Sequence, residues 1–190
     1  MNLCDAIFFK QLEMAKKFIE KRADVNQTRT NRETPLYLAS QRGYLDVVKL
    51  LIDKNADINK ADDYNVTPLW IASQNGHLGV VKYLIKKGAD INQHNMNRTT
   101  PLWIASHEGK LDVVKLLIKN GADINKVNRD GYTPLLVASE KNHLDVVIYL
   151  VDNGADINKS NNYQVTPLGK ASRWHHREIV KYLKNKGAKK

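Results

Sequence analysis

The sequence predicts an all-α repeat solenoid, a stack of helix pairs joined by β-hairpin fingers. Three observations carry this. Thr-Pro-Leu occurs at 34–36, 67–69, 100–102, 133–135 and 166–168, always 33 residues apart. Ala-Ser follows in register at 39–40, 72–73, 105–106, 138–139 and 171–172. Ala-Asp-Ile-Asn stands at 56–59, 89–92, 122–125 and 155–158. A fixed period of this size marks a chain built from stacked supersecondary units, none of which can bury its apolar face alone.

Each repeated word has a mechanical role. Thr is a good helix N-cap, and Pro at the first helical position loses nothing by lacking an N–H. Leu69, Ala72, Ser73 and Gly76 fall on one face of a short first helix, and the small Ala and Ser let a second helix approach closely. Gly43, Gly76 and Gly109 break the chain before that second helix, which presents Leu45, Val48, Leu51 and Ile52. Gly88, Gly121, Gly154 and Gly187 end it as left-handed C′ residues; Asn55 takes that place once. An extended segment and a turn such as Asp130-Gly131 follow, a hairpin signal. The recurring Asp57, Asp90, Asp123 and Asp156 read as ties to the turn backbone. The Asn of the same word, at 59, 92, 125 and 158, reads as a backbone cap. Subtracting one period from the first full word lands on Ala23-Asp24-Val25-Asn26, and adding one to Asp156 lands on Lys189. The expected organisation is one domain over 1–190. It has an N-terminal capping repeat (1–29), full repeats at 30–62, 63–95, 96–128 and 129–161, and a C-terminal capping repeat (162–190).

The totals narrow the class. An apolar share of 42% suffices for a core, and no apolar run reaches the roughly 18 residues of a membrane span. Cys4 is the single cysteine, so an intrachain disulfide is impossible. A reducing location is expected: cytoplasmic or nuclear, or the interior of a host cell after delivery. The net charge of +10 is concentrated at one end. Residues 162–190 carry eight Lys or Arg against Glu178 alone. That end reads as the polar outer face of a terminal repeat.

Period, motifs and turn together make the chain similar to the ankyrin repeat across its whole length. That resemblance implies an L-shaped stack in which short inner helices and hairpin fingers line a concave side. It also implies a monomeric, non-enzymatic scaffold that binds another protein as adaptor, inhibitor or effector. The family has His after Thr-Pro-Leu; here Tyr37, Trp70, Trp103, Leu136 and Gly169 stand there, which leaves the family's His-centred hydrogen bonds without their residue.

Where the repeats differ is where a binding surface is expected. The fingers supply Tyr64, Val66, Met96, Asn97, Thr99, Arg129, Asp130, Tyr132 and Tyr163. The ends of the first helices supply Asn75, His107, Glu108, Glu140, Lys141, Arg173 and Trp174, about 180° from the Leu/Ala face. Aromatic residues in such places are typical interface anchors. Trp70 and Trp103 lie about 100° from the core face, as packing between repeats or as an aromatic platform. Binding of nucleic acid or a nucleotide on a basic and aromatic concave surface is the alternative. An engineered binder or stability model is a third reading; Cys4, the irregular hairpins and the unusual first unit stand against it.

Chemistry is not expected. The six histidines show no metal-ligand spacing, Cys4 has no evident His partner, and the glycines mark repeat boundaries rather than a phosphate loop. No catalytic residue, metal or cofactor is assigned.

Overall fold

The computed structural model describes residues 2–189; Lys190, part of the basic end, lies outside them. Twelve α-helices occur among the described residues, and the chain forms two compact units, 1–96 and 97–190. The first contains α1 (Leu3–Phe8), α2 (Leu12–Glu20), α3 (Pro35–Arg42), α4 (Leu45–Asp53), α5 (Pro68–Asn75) and α6 (Leu78–Lys86). The second contains α7 (Pro101–His107), α8 (Leu111–Lys119), α9 (Pro134–Glu140), α10 (Leu144–Asp152), α11 (Pro167–Arg173) and α12 (Arg177–Asn185).

The inner helices α3, α5, α7, α9 and α11 begin as their sequence dictates. Thr34, Thr67, Thr100, Thr133 and Thr166 are N-caps with Pro behind them. Each Thr Oγ1 accepts the backbone N–H three residues on, at 3.0–3.1 Å. Such a cap is worth about 1 kcal/mol. Within the first unit α1 packs on α3 and α3 on α5, while α2, α4 and α6 form an outer layer. Within the second, α7 packs on α9 and α9 on α11, with α8, α10 and α12 outside. Ala39, Ala72, Ala105, Ala138 and Ala171 are fully buried, so the inner helices meet over methyl groups.

The Asn of the Asp-Ile-Asn word links successive repeats. Asn26 Oδ1 accepts Asp57 N–H at 2.8 Å and Asn59 Oδ1 accepts Asp90 N–H at 2.9 Å. In the second unit Asn125 serves Asp156 at 2.9 Å and Asn158 serves Lys189 at 2.8 Å. The link therefore survives the loss of Asp at 189, because it uses the backbone N–H.

The expected hairpins are turns. No strand occurs among the described residues. Fingers close on themselves, as in Asp62 N–H to Val66 C=O and Asn128 N–H to Tyr132 C=O, both 3.1 Å. They then give a single backbone bond to the next finger, too few to build a ladder.

Candidate binding surface

Fingers are held by a residue outside the variable positions, an Asp or Asn at the base. Asp62, Asn95, Asn128 and Asn161 recur every 33 residues at the finger base. Asp62 Oδ1 accepts the N–H groups of Tyr64 and Val66 at 2.9 and 2.8 Å. Asn128 Oδ1 accepts those of Asp130 and Tyr132 at 3.0 and 2.8 Å, and Asn161 those of Tyr163 and Val165 at 3.0 Å. A side chain binding backbone two and four residues on replaces the missing strand pairing. The 33-residue recurrence of Asp or Asn was the signal available for it.

The third finger residue has positive φ: 59° at Asn65, 60° at Arg98, 81° at Gly131 and 59° at Gln164. At Gly131 freedom of φ is only part of the requirement. A Cβ there would stand 2.5 Å from Asn162 Oδ1 and 2.8 Å from its backbone nitrogen. Asn162 approaches so closely because its N–H donates to Asp130 C=O at 3.1 Å and its Nδ2 to Arg129 C=O at 3.1 Å.

In the first unit, Asp63 N–H donates to Asn31 C=O and Met96 N–H to Tyr64 C=O, each 3.0 Å. Tyr64 and Met96 are left 61% and 57% exposed. Asn75 is exposed at the end of α5, its Nδ2 donating to Ile71 C=O at 2.8 Å. Val66 and Trp70 are each 8% exposed and offer almost no area to a partner.

In the second unit Thr99 is likewise buried, whereas Asn97, Arg129 and Asp130 are exposed. Here most of the expected residues converge. Trp103, His107, Asp130, Tyr132, Glu140, Lys141 and Tyr163 line an open cleft of about 370 Å³, together with Asn128 and Val137. Trp103 Nε1–H donates to Tyr132 C=O at 3.0 Å. The indole thus reaches the next finger from the position where the family has His. The His107 ring stacks on the indole, with centroids 5.4 Å apart and planes 17° apart, and pairs through Nδ1 with Glu108 Oε1 at 2.9 Å.

A histidine at the N-cap of three outer helices fixes the preceding inner-helix ends. His143, the N-cap of α10, meets His107 C=O through Nε2 at 2.9 Å, and His176, the N-cap of α12, meets Glu140 C=O at 2.9 Å. His77 does the same for Gln41 in the first unit, at 2.9 Å. Gly109 makes room for His143, since a Cβ there would lie 2.5 Å from the ring.

Behind the cleft sits Lys170, which in sequence is one more charge of the basic end. It takes the register of Leu38, Ile71, Ile104 and Val137, and is 9% exposed. Its Nζ is 2.9 Å from Glu140 Oε1 and 4.9 Å from the centre of the Tyr132 ring. Burial by itself would lower the ammonium pKa. The hydrogen bonds and charges of Glu140 and Tyr132 outweigh that and hold it above the usual lysine value. An aliphatic register occupied by Lys was the signal.

Arg173 and Trp174 lie at the end of α11, exposed and outside the cleft lining. No group of three or more His, Cys, Asp or Glu able to hold a metal occurs among the described residues. Cys4 is buried, which pushes its thiol up to about 11, far from a reactive thiolate.

Helix pairs repeated in each unit, with a rigid buried side and a varied exposed edge, define a helical-repeat protein of the interaction type. The chain belongs to the ankyrin-repeat family: the family model described as ankyrin repeats (3 copies) matches residues 3–95 and again 102–190. No curated protein matches it. Ankyrin repeats are in general protein-interaction modules, typically non-enzymatic, and this supports a scaffold role. No helix among the described residues is long and apolar enough to cross a membrane.

Proposed function

We propose that the chain is a non-enzymatic scaffold that recognises a partner protein through its fingertips and inner-helix ends, as adaptor, inhibitor or effector. The observation that carries this is the cleft of the second unit. Three aromatic side chains, Trp103, Tyr132 and Tyr163, surround a space of about 370 Å³, room for one or two partner side chains. Two of its lining residues are already engaged: Glu140 holds Lys170, and His107 holds Glu108. Preformed pairs of this kind need little ordering on binding. Arg129, Asp130 and Lys141 stand exposed around it as a polar rim. Tyr64, Met96, Asn75 and Asn97 supply exposed side chains elsewhere on the fingers and inner-helix ends. The scaffold works as a monomer inside a cell, cytoplasmic or nuclear, or in a host cell after delivery; the lone buried Cys4 supports that setting.

The test is affinity capture from cell extract, identification of the captured protein, and calorimetry of variants against it. Tyr132→Ala, and His107→Ala combined with Glu108→Ala, are expected to weaken binding by about 2 kcal/mol or more. Lys82→Ala and Lys115→Ala on outer helices are expected to leave it unchanged. If the outer-helix variants abolish binding and the cleft variants do not, the functional face is misassigned.

A further inference from the structure

The last helix pair carries charge that its surroundings do not answer. Lys170 is engaged by Glu140 and Lys186 by Asp152. Arg173, Arg177, Lys181, Lys184 and Lys189 make no ion pair among the described residues. The one acid of this segment, Glu178, makes none either. Arg177, Lys181 and Lys184 fall at i, i+4 and i+7 of α12, a stripe about 10 Å long at 1.5 Å per residue. It faces away from Ile179 and Leu183, which are fully buried. Where α11 ends, Trp174 is 57% exposed between Arg173 and His175, both exposed as well.

We propose that this surface binds single-stranded nucleic acid, with Trp174 as the stacking platform for a base and Arg173, Arg177, Lys181 and Lys184 on the phosphates. The cationic stripe supplies the charge complement of a phosphate backbone, and Arg is suited to phosphate by its planar, two-pronged donor set. Trp174 decides among anionic partners. The apolar core of a protein interface needs an apolar patch, yet the chain neighbours Arg173, His175 and Arg177 are all exposed and polar and supply none. A base offers a flat π-face with phosphates on either side, which fits an isolated ring in a cationic field. A duplex keeps its base faces stacked, so the strand must be single. A lipid surface is disfavoured because the apolar face of α12 is already spent on the interior. The surface is separate from the cleft and does not depend on the role given to it.

The experiment is fluorescence anisotropy of an oligothymidylate of about twenty nucleotides, longer than one stacking site, titrated with the full chain at several salt concentrations. Binding at low salt is expected, with log K falling against log[salt] at a slope of about −3 for four phosphates. Trp174→Ala should weaken binding about tenfold and leave the slope alone. Arg173→Gln with Arg177→Gln should make the slope shallower by about 1.4. Lys82→Gln with Lys86→Gln, which removes the same charge from α6, should change neither, and Tyr132→Ala in the cleft should change neither. No binding at low salt would overturn the proposal, as would equal effects of the Arg and control pairs. Tighter capture of a polyglutamate peptide, or of phosphatidylserine-containing vesicles, than of the oligonucleotide would assign the surface to an acidic protein or a lipid headgroup and overturn it too.

Discussion

The outer helices and the inner-helix ends of this protein obey opposite rules. Outer helices α4, α6, α8 and α10 each bury two Val and one Leu, as in Val80, Val81 and Leu84, at 0–1% exposure. The inner helices end in Gln41-Arg42, Gln74-Asn75, His107-Glu108, Glu140-Lys141 and Arg173-Trp174, no two pairs alike. Close packing punishes even one methylene of change in a core, whereas a solvent-facing helix end tolerates almost any residue. Repetition therefore marks what holds the protein together, and variety marks what it has free to use.

The comparison breaks first if a repeat can stand alone. A peptide of residues 96–128 is expected to show no helical circular dichroism in water, because neighbouring helix pairs supply its burial. A monomeric, helical peptide would mean that the repeated formula is self-sufficient.

Next in size come the buried leucines. Leu84→Ala in the first unit and Leu117→Ala in the second, both at 0% exposure, are each expected to cost about 2–5 kcal/mol in denaturant unfolding. A loss below 1 kcal/mol at either site would show that the outer helices are not the structural layer.

Lys170 sharpens the comparison, because there a functional-looking charge occupies a core register. Its side chain is 11% exposed and that of Glu140 21%. Lys170→Ala is expected to cost about 2 kcal/mol, less than the breaking of a fully buried pair. Lys170→Met with Glu140→Gln should recover most of it. The raised ammonium pKa fixes the sign of the pH effect. Stability from this group is fully present below the unfolded lysine value, about 10.4, and is lost as pH rises through the folded one. In unfolding measured between about pH 9 and 11.5, the wild type should lose stability relative to the double variant, which lacks the titrating lysine.

Gly131→Ala places a methyl group against Asn162 at positive φ, and a loss of about 1–2 kcal/mol is expected in thermal melts. The smallest effect belongs to the fingertip. Tyr64→Ala should alter stability by no more than about 0.5 kcal/mol, since Tyr64 is 61% exposed; a larger fall would make it a structural residue.

The sequence by itself determined the helix pairs, their caps and their order. Those depend on local chemistry repeated five times: a Thr oxygen within reach of the third N–H, a Pro where no N–H is needed, and apolar residues spaced for one helical face. It also showed which positions vary, and six of the residues chosen on that ground line one cleft with Trp103. Tertiary structure decided the rest, because a side chain's surroundings come from neighbouring repeats that periodicity makes look equivalent. Val66 and Thr99 sit in fingers beside Tyr64 and Asn97, yet they are buried. At Asp62, Asn128 and Asn161 one Asx oxygen satisfies finger donors that a ladder would have taken. Lys170 reads as surface charge until Glu140 and the Tyr132 ring are seen around it. Burial and pairing are properties of the space between repeats, and no single repeat encodes that space.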